Sequence, residues 1–94
     1  MSQSAFLESV KDAIVNDDLA TIQEYLQEAR ELDFDWPFLF QKSYLHACLL
    51  GRTNIAHWLH NSVFPTMDPI QQIALRQVFS YGRHLLKKAA RTKV

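Results

Sequence analysis

Two apolar segments on either side of Gly51 constrain the fold of this chain more than any other feature. The first covers residues 43–50 and the second begins at residue 55. Glycine adopts positive φ at little steric cost and commonly follows the last residue of a helix. Thr53 or Asn54 can then cap a new helix. The pattern predicts two short helices joined back to back.

Three further helices are predicted from apolar spacing and capping residues. Apolar side chains recur at three and four positions over residues 4–15 and 19–31, the spacing of one helix face. A last helix is expected to start at Asp68, with Pro69 at its first position and Gln71 completing a capping box. The inward stripe of this helix is predicted to contain Ile70, Ile73, Ala74, Val78 and Tyr81.

Residues 34–42 are predicted to form an aromatic connector rather than a helix. Pro37 cannot occupy a helix interior, and it restricts Trp36 to an extended conformation. Two interpretations of the connector remain open. Its rings either fold back to complete a small core or form an exposed binding ridge.

The composition favours helices with short joints, because the chain of 94 residues has only two glycines and three prolines. We therefore expect one all-α domain of about five helices over residues 1–94. Its predicted parts are a first helix pair (5–33), the aromatic connector (34–42), a second helix pair (43–64) and a capping helix or helices (68–90).

A comparison of the chain with itself suggests that the two helix pairs are repeats. A shift of 33 positions pairs Ile22 with Ile55 and Leu26 with Leu59. The aromatic ring of residue 58 is then expected in the interface between stacked pairs. The residues predicted for that interface are Ile22, Tyr25, Ile55, Trp58 and Leu59.

The repeated pattern resembles the ankyrin repeat. Residues 47–51, Ala-Cys-Leu-Leu-Gly, are similar to the A-A-x-x-G of that family, and residues 54–59 are similar to its E-V-V-x-L-L. Residues 33–35 resemble its D-V-N. The resemblance implies a solenoid of stacked antiparallel helix pairs, with an irregular five-helix bundle as the alternative.

Ankyrin-like repeats bind proteins through their connector loops and through the exposed side of the first helix of each pair. The resemblance therefore implies a non-enzymatic protein–protein interaction module, such as a small adaptor or inhibitor. The partner-binding residues that it implies are Asp35, Trp36, Phe38, Phe40, Lys42, Tyr44 and His46.

The charges are segregated along the chain, although the formal net charge is zero. Residues 1–41 contain nine acidic and two basic residues, and residues 42–94 contain eight basic residues and one acidic residue. The two halves are expected either to attract each other or to associate head to tail in a homo-oligomer. The alternative function is binding of nucleic acid or an acidic partner through a basic patch. That patch consists of Arg83, Lys87, Lys88, Arg91 and Lys93.

Catalytic, metal and cofactor motifs are absent from the sequence, so no enzyme activity is expected. The spacing of His57 and His60 allows a zinc site to be imagined, but no carboxylate or second thiol accompanies them, and we predict none. Cys48 is the single cysteine and is predicted to lie in the core. No apolar segment is long enough for a membrane span, and the start lacks the basic segment of a secretory signal. We expect a cytoplasmic protein.

Overall fold

The computed structural model describes residues 2–92, which fold around one apolar core. The helices are α1 (Gln3–Val15), α2 (Leu19–Ala29), α3 (Trp36–Leu49), α4 (Thr53–Trp58), α5 (Pro69–Ala74) and α6 (Arg76–Thr92). A π-helical segment (Leu59–Val63) and a 3-10 helix (Phe64–Thr66) follow α4. No strand occurs within residues 2–92, which confirms the predicted all-α class.

The joint between α1 and α2 has the same geometry as the joint between α3 and α4. Asp17 and Gly51 both have positive φ, 54° and 71°, and they lie 34 positions apart. In the first joint the backbone amide of residue 18 donates to the carbonyl of residue 13 at 2.9 Å. In the second, the amide of residue 52 donates to the carbonyl of residue 47 at 2.8 Å. The role predicted for Gly51 is confirmed. The predicted cap at Thr53 or Asn54 is wrong, because α4 starts at Thr53 and Arg52 precedes it without a capping bond.

Hydrogen bonds at both ends hold α1 and α3 side by side and parallel. At their starts, the backbone amide of Asp35 donates to Oε1 of Gln3 at 2.8 Å. At their ends, the guanidinium of Arg52 donates to the carbonyl oxygens of Ile14 at 3.1 Å and Val15 at 2.7 Å. These carbonyls belong to the last turn of α1, and that of Ile14 also accepts from the backbone amide of Asp17 at 3.0 Å. Each helix pair is thereby tied to the other.

The last helix, α6, packs along a different side of α3. The ring centroid of Phe79 lies 6.0 Å from that of Phe40 and 5.3 Å from that of Tyr44. Farther along both helices, Gly82 lies against the side chains of Tyr44 and Cys48. The contacts advance in the same direction on both helices, so α6 is parallel to α3. Helices α1, α3 and α6 thus form one layer with α3 in the middle.

The prediction of a connector over residues 34–42 is wrong, since α3 begins at Trp36. The side chain of Asp35 caps the helix by accepting a hydrogen bond from the amide of Phe38 at 3.3 Å. Pro37 lies in the first turn, where its missing N–H is not needed for the helical hydrogen bonds. Only residues 30–35 lie between α2 and α3.

The capping box predicted at the start of α5 is confirmed. Asp68 accepts from the amide of Gln71 at 2.9 Å, and the Gln71 side chain accepts from the amide of Asp68 at 3.3 Å. The single helix predicted from this point is broken, however, because α5 ends at Ala74 and α6 starts after Leu75. The helical phase changes at this break.

The predicted inward stripe of the last helix is therefore largely wrong. Ile70 is 81% exposed and Ile73 is 63% exposed, and Tyr81 also faces solvent. Of the predicted stripe only Val78 is buried, and the residues that join it in the core are Leu75, Phe79 and Gly82.

Of the residues predicted for the interface between the helix pairs, three lie in the core and two are partly buried. Ile22, Ile55 and Leu59 are buried. Tyr25 and Trp58 pack against the core but keep part of their surface exposed.

Candidate interaction surface

The seven predicted contact residues do not share one environment, because α3 turns them to different sides. Asp35, Phe38 and Lys42 are exposed. The ammonium of Lys42 lies 5.5 Å from the centroid of the Phe38 ring, one turn earlier on α3. Such a cation–π contact contributes about 0.5–1 kcal/mol at an exposed site. These three residues keep the accessibility that the predicted contact role requires.

Phe40 and Tyr44 are buried, so their predicted role as exposed contacts is wrong. Their rings stack with centroids 5.7 Å apart and planes 7° apart. Phe79 meets Tyr44 edge to face, and His60 stacks on Phe79 at 4.1 Å. Burial raises the pKa of Tyr44 to about 12. This cluster joins α3 to α6 and forms part of the core.

Trp36 is half-buried and fills the end of the first helix pair. Its ring lies 5.8 Å from Phe6 and 5.7 Å from Phe34, and its Nε1 donates to the carbonyl of Leu32 at 3.2 Å. Its remaining surface lines a groove of about 610 Å³ between α2 and the helical segments after α4. The groove is lined by Leu26, Trp36, Trp58, Val63, Met67 and Arg30, among others.

His46 lies at the seam between α1 and α3. Its Nε2 atom is buried and has no hydrogen-bond partner in the described part of the chain. Burial, together with the positive charge of Lys11, lowers the pKa of His46, and Glu8 opposes this shift. His46 is therefore a partly buried packing residue rather than an accessible contact.

A different set of exposed apolar side chains converges on one side of the parallel layer. Tyr44 and Cys48 face α6, His46 faces α1, and Phe40 meets Phe64 of the segment after α4, so one remaining side of α3 is left open. Residues four, seven and eleven positions apart share a helix side. That side of α3 carries Phe38, Lys42, Leu45 and Leu49.

Helix register places Val15 of α1 and Tyr81 of α6 beside this side of α3. Val15 is one turn beyond Lys11, whose charge acts on His46. On α6, Phe79 stacks on His60. Tyr81 is two positions from Phe79, so its side chain points away from His60. We call the surface formed by Val15, Phe38, Lys42, Leu45, Leu49 and Tyr81 the open face. It holds four of the seven large apolar side chains that are exposed within residues 2–92: Val15 (49%), Phe38 (40%), Leu49 (59%) and Tyr81 (56%).

Sequence reasoning identified Phe38 and Lys42 of the open face but missed its other members. Leu45 and Leu49 follow Phe38 by seven and eleven positions, so the helical spacing was present in the sequence. It could be recognised only if α3 was known to include residues 36–42. Tyr81 was assigned to the core because the break at Leu75 has no glycine or proline to signal it.

The basic patch is a separate surface on α6. Arg83, Lys87, Lys88 and Arg91 are exposed. Lys93 lies outside the described residues. Arg83 is closest to the aromatic cluster, since its charge influences the pKa values of Tyr44 and His60. The other three side chains lie farther along α6, on the side away from Gly82.

The described residues contain few groups suited to metal binding or nucleophilic attack. No three His, Cys, Asp or Glu side chains in residues 2–92 come together as metal ligands. Cys48 is buried, and burial raises the pKa of its thiol to about 11, so the nucleophilic thiolate is scarce at neutral pH. None of the helices in the described range has the length and apolarity needed to cross a membrane.

Comparison of the chain with protein-family models, with curated proteins and with solved structures gives no match.

Proposed function

We propose that this protein is a non-enzymatic protein-interaction module that binds its partner through the open face. The observation that carries the proposal is the exposure of Val15, Phe38, Leu49 and Tyr81, which helix register places on one side of the layer. Scattered single apolar residues are ordinary on protein surfaces, whereas a contiguous group indicates an interaction site. The resemblance to ankyrin repeats, which use the exposed side of the first helix of each pair, agrees with this choice.

The spacing of the open face favours an amphipathic helix as the bound element. On α3 the side chains at positions 38, 42, 45 and 49 form a stripe along about three turns, which matches the apolar stripe of a second helix. Lys42 lies within the stripe, and a carboxylate on the partner would complement it. Aromatic anchors such as Phe38 and Tyr81 bury a large area at low entropic cost.

A photocrosslinking residue placed at position 38 tests the proposal. The crosslinked protein is identified, purified and titrated against wild type and against a variant with Phe38→Ala and Leu49→Ala. Loss of the first and last apolar anchors of the stripe is expected to weaken binding at least about 30-fold, as for interface hot spots. Both side chains are exposed, so the variant should retain the helical circular dichroism and the melting temperature of wild type.

The matched control replaces two exposed apolar residues outside the open face. Ile70 and Ile73 of α5 are more exposed than Phe38, so Ile70→Ala with Ile73→Ala removes a similar apolar area from another surface. Binding that survives loss of Phe38 and Leu49, or that falls equally in the control, would refute the open face as the contact surface.

The alternative function, binding of nucleic acid or another acidic partner by α6, is supported by its exposed bases. Its weakness is that all nine carboxylates of residues 1–41 are exposed on the same small domain and would repel a polyanion. Absence of retention on heparin at low salt would remove this alternative.

A further inference from the structure

Most of the acidic residues lie in the first helix pair, and most of the basic residues lie on α6. α1 packs on α3 at the side of His46, and α6 packs at the side of Tyr44 and Cys48. The first helix pair is therefore one end of the layer and α6 is the other. All nine acidic residues of the first 41 positions are exposed, and α6 contains five exposed basic residues and no acidic one.

A carboxylate ridge lies on the outer side of α2. Gln23, Leu26 and Arg30 line the groove beside Trp58, and Ile22 is buried. The side of α2 that faces neither the core nor the groove carries Glu24 and Glu28, both exposed. They are one turn apart, about 6 Å along the helix. We call these two residues the acidic ridge.

A cationic ridge of the same spacing lies on the outer side of α6. Phe79 and Gly82 face the aromatic cluster and α3, so Lys87, Lys88 and Arg91 lie on the remaining side. Positions 87 and 91 are also about 6 Å apart along the helix. Within residues 2–92 no carboxylate forms an ion pair with any of the three. We call these three residues the basic ridge.

We propose that the basic ridge of one molecule binds the acidic ridge of a second copy, so that the chains associate head to tail. The two ridges are complementary in charge and equal in spacing. They also lie at opposite ends, so a bound copy still presents one free ridge of each kind. Such a heterologous contact adds further copies unless its rotation closes a ring.

A second copy fits the basic ridge better than a nucleic acid does. The chain has formal net charge zero, so a head-to-tail assembly accumulates no charge as it grows. A polyanion would meet the nine exposed carboxylates of the same domain as well as the bases.

Sedimentation velocity at two salt concentrations tests the assembly. The monomer mass is 10.9 kDa. At low ionic strength the weight-average mass is expected to rise with protein concentration to at least about twice the monomer value. It should return to the monomer value near 1 M salt, where the Debye length falls to about 3 Å. A mass that stays at the monomer value at low salt would overturn the proposal.

Charge reversal distinguishes the proposed contact from general attraction between charged molecules. The variant Lys87→Glu with Lys88→Glu has two acidic ends, and Glu24→Lys with Glu28→Lys has two basic ends. Each variant alone is expected to remain monomeric, and an equimolar mixture should associate again. The control Arg30→Glu with Arg76→Glu replaces two exposed bases outside the open face and both ridges. It changes the net charge as much as the first variant, so it should still assemble.

Other outcomes would contradict the head-to-tail contact. Assembly that persists in either reversed variant, or that is lost equally in the control, would overturn the proposed ridges. Retention of the monomeric protein on heparin or nucleic acid, abolished by Lys87→Glu with Lys88→Glu, would assign the basic ridge to a polyanion instead. Circular dichroism of each variant verifies the fold, which exposed substitutions should not disturb.

Discussion

Replacing Gly82 with alanine provides a direct test of how closely α6 packs on α3. In an exposed helix interior this change stabilises a protein by about 1 kcal/mol, because alanine has the higher helix propensity. In this protein a Cβ atom at position 82 would lie 2.4 Å from Cε1 of Tyr44 and 3.0 Å from Sγ of Cys48. Atoms at the first distance overlap, so a neighbour must move.

The Tyr44 ring has little freedom to move away. It is buried, stacked on Phe40 and held at its edge by Phe79. Overpacking of this kind costs about 1–3 kcal/mol, and the gain in helix propensity offsets about 1 kcal/mol of that cost. We therefore expect Gly82→Ala to lower the free energy of unfolding by up to about 2 kcal/mol. Each kcal/mol corresponds to about 4–8 °C in melting temperature for a domain of this size.

Urea denaturation followed by far-UV circular dichroism measures the effect. Ser80→Ala is the control, because position 80 is exposed on the same helix and gains propensity without a new contact. A double-mutant cycle with Tyr44→Leu isolates the steric term, since the cost of Gly82→Ala should shrink when the ring is removed.

The opposite sign would refute the packing argument. If Gly82→Ala is more stable than wild type, by as much as the propensity gain or more, then α6 does not approach α3 at Tyr44. The parallel layer, and with it the open face, would then need revision.

Four further outcomes are expected. Arg52→Ala should lower the free energy of unfolding by about 1–3 kcal/mol in urea melts, since two carbonyls at the end of α1 lose their charged donor. A loss below about 0.5 kcal/mol would show that these hydrogen bonds are not maintained. Asp68→Ala should cost about 1 kcal/mol through loss of the capping box, and unchanged stability would argue against that cap. Burial lowers the pKa values of His46 and His60 below their ordinary value of 6.5, so the unfolded chain binds more protons than the folded one as the pH falls below 6.5. Stability should therefore decrease from pH 6.5 downward, with a shallower decrease in a His46→Gln variant, and identical pH profiles would refute the assignment. The thiol of Cys48 should react with Ellman's reagent only after denaturation, and rapid reaction of the native protein would mean that the core around it opens readily.

The parts of the fold that were predicted correctly depend on local signals. Gly51 has the positive φ expected of a glycine after a helix, and Asp68 forms the expected capping box. The start of α3 was missed although Asp35 and Pro37 offer similar chemistry. One residue separates aspartate from proline there, and the proline was interpreted as a helix breaker rather than as a first-turn residue.

The errors in the candidate site follow from that boundary and from the phase change at Leu75. In an extended connector the side chains of Phe38 and Phe40 would share a side, whereas in a helix they point to different sides, one exposed and one buried. Periodicity likewise placed Tyr81 in the core by assuming one continuous helix through Leu75. Such breaks depend on tertiary packing, which a single sequence does not display.

The loose attachment of α5 has a consequence for limited proteolysis. None of the residues in this helix is buried, and it is held mainly by its capping box and by the Gln72 side chain, which donates to the carbonyls of Phe64 and Met67. Segments with so few buried contacts open locally at low cost and are preferred cleavage sites. A protease should therefore cut the native chain first within α5. Because α6 is held to α3 by the aromatic cluster and not by α5, the two fragments should copurify as a nicked but folded complex.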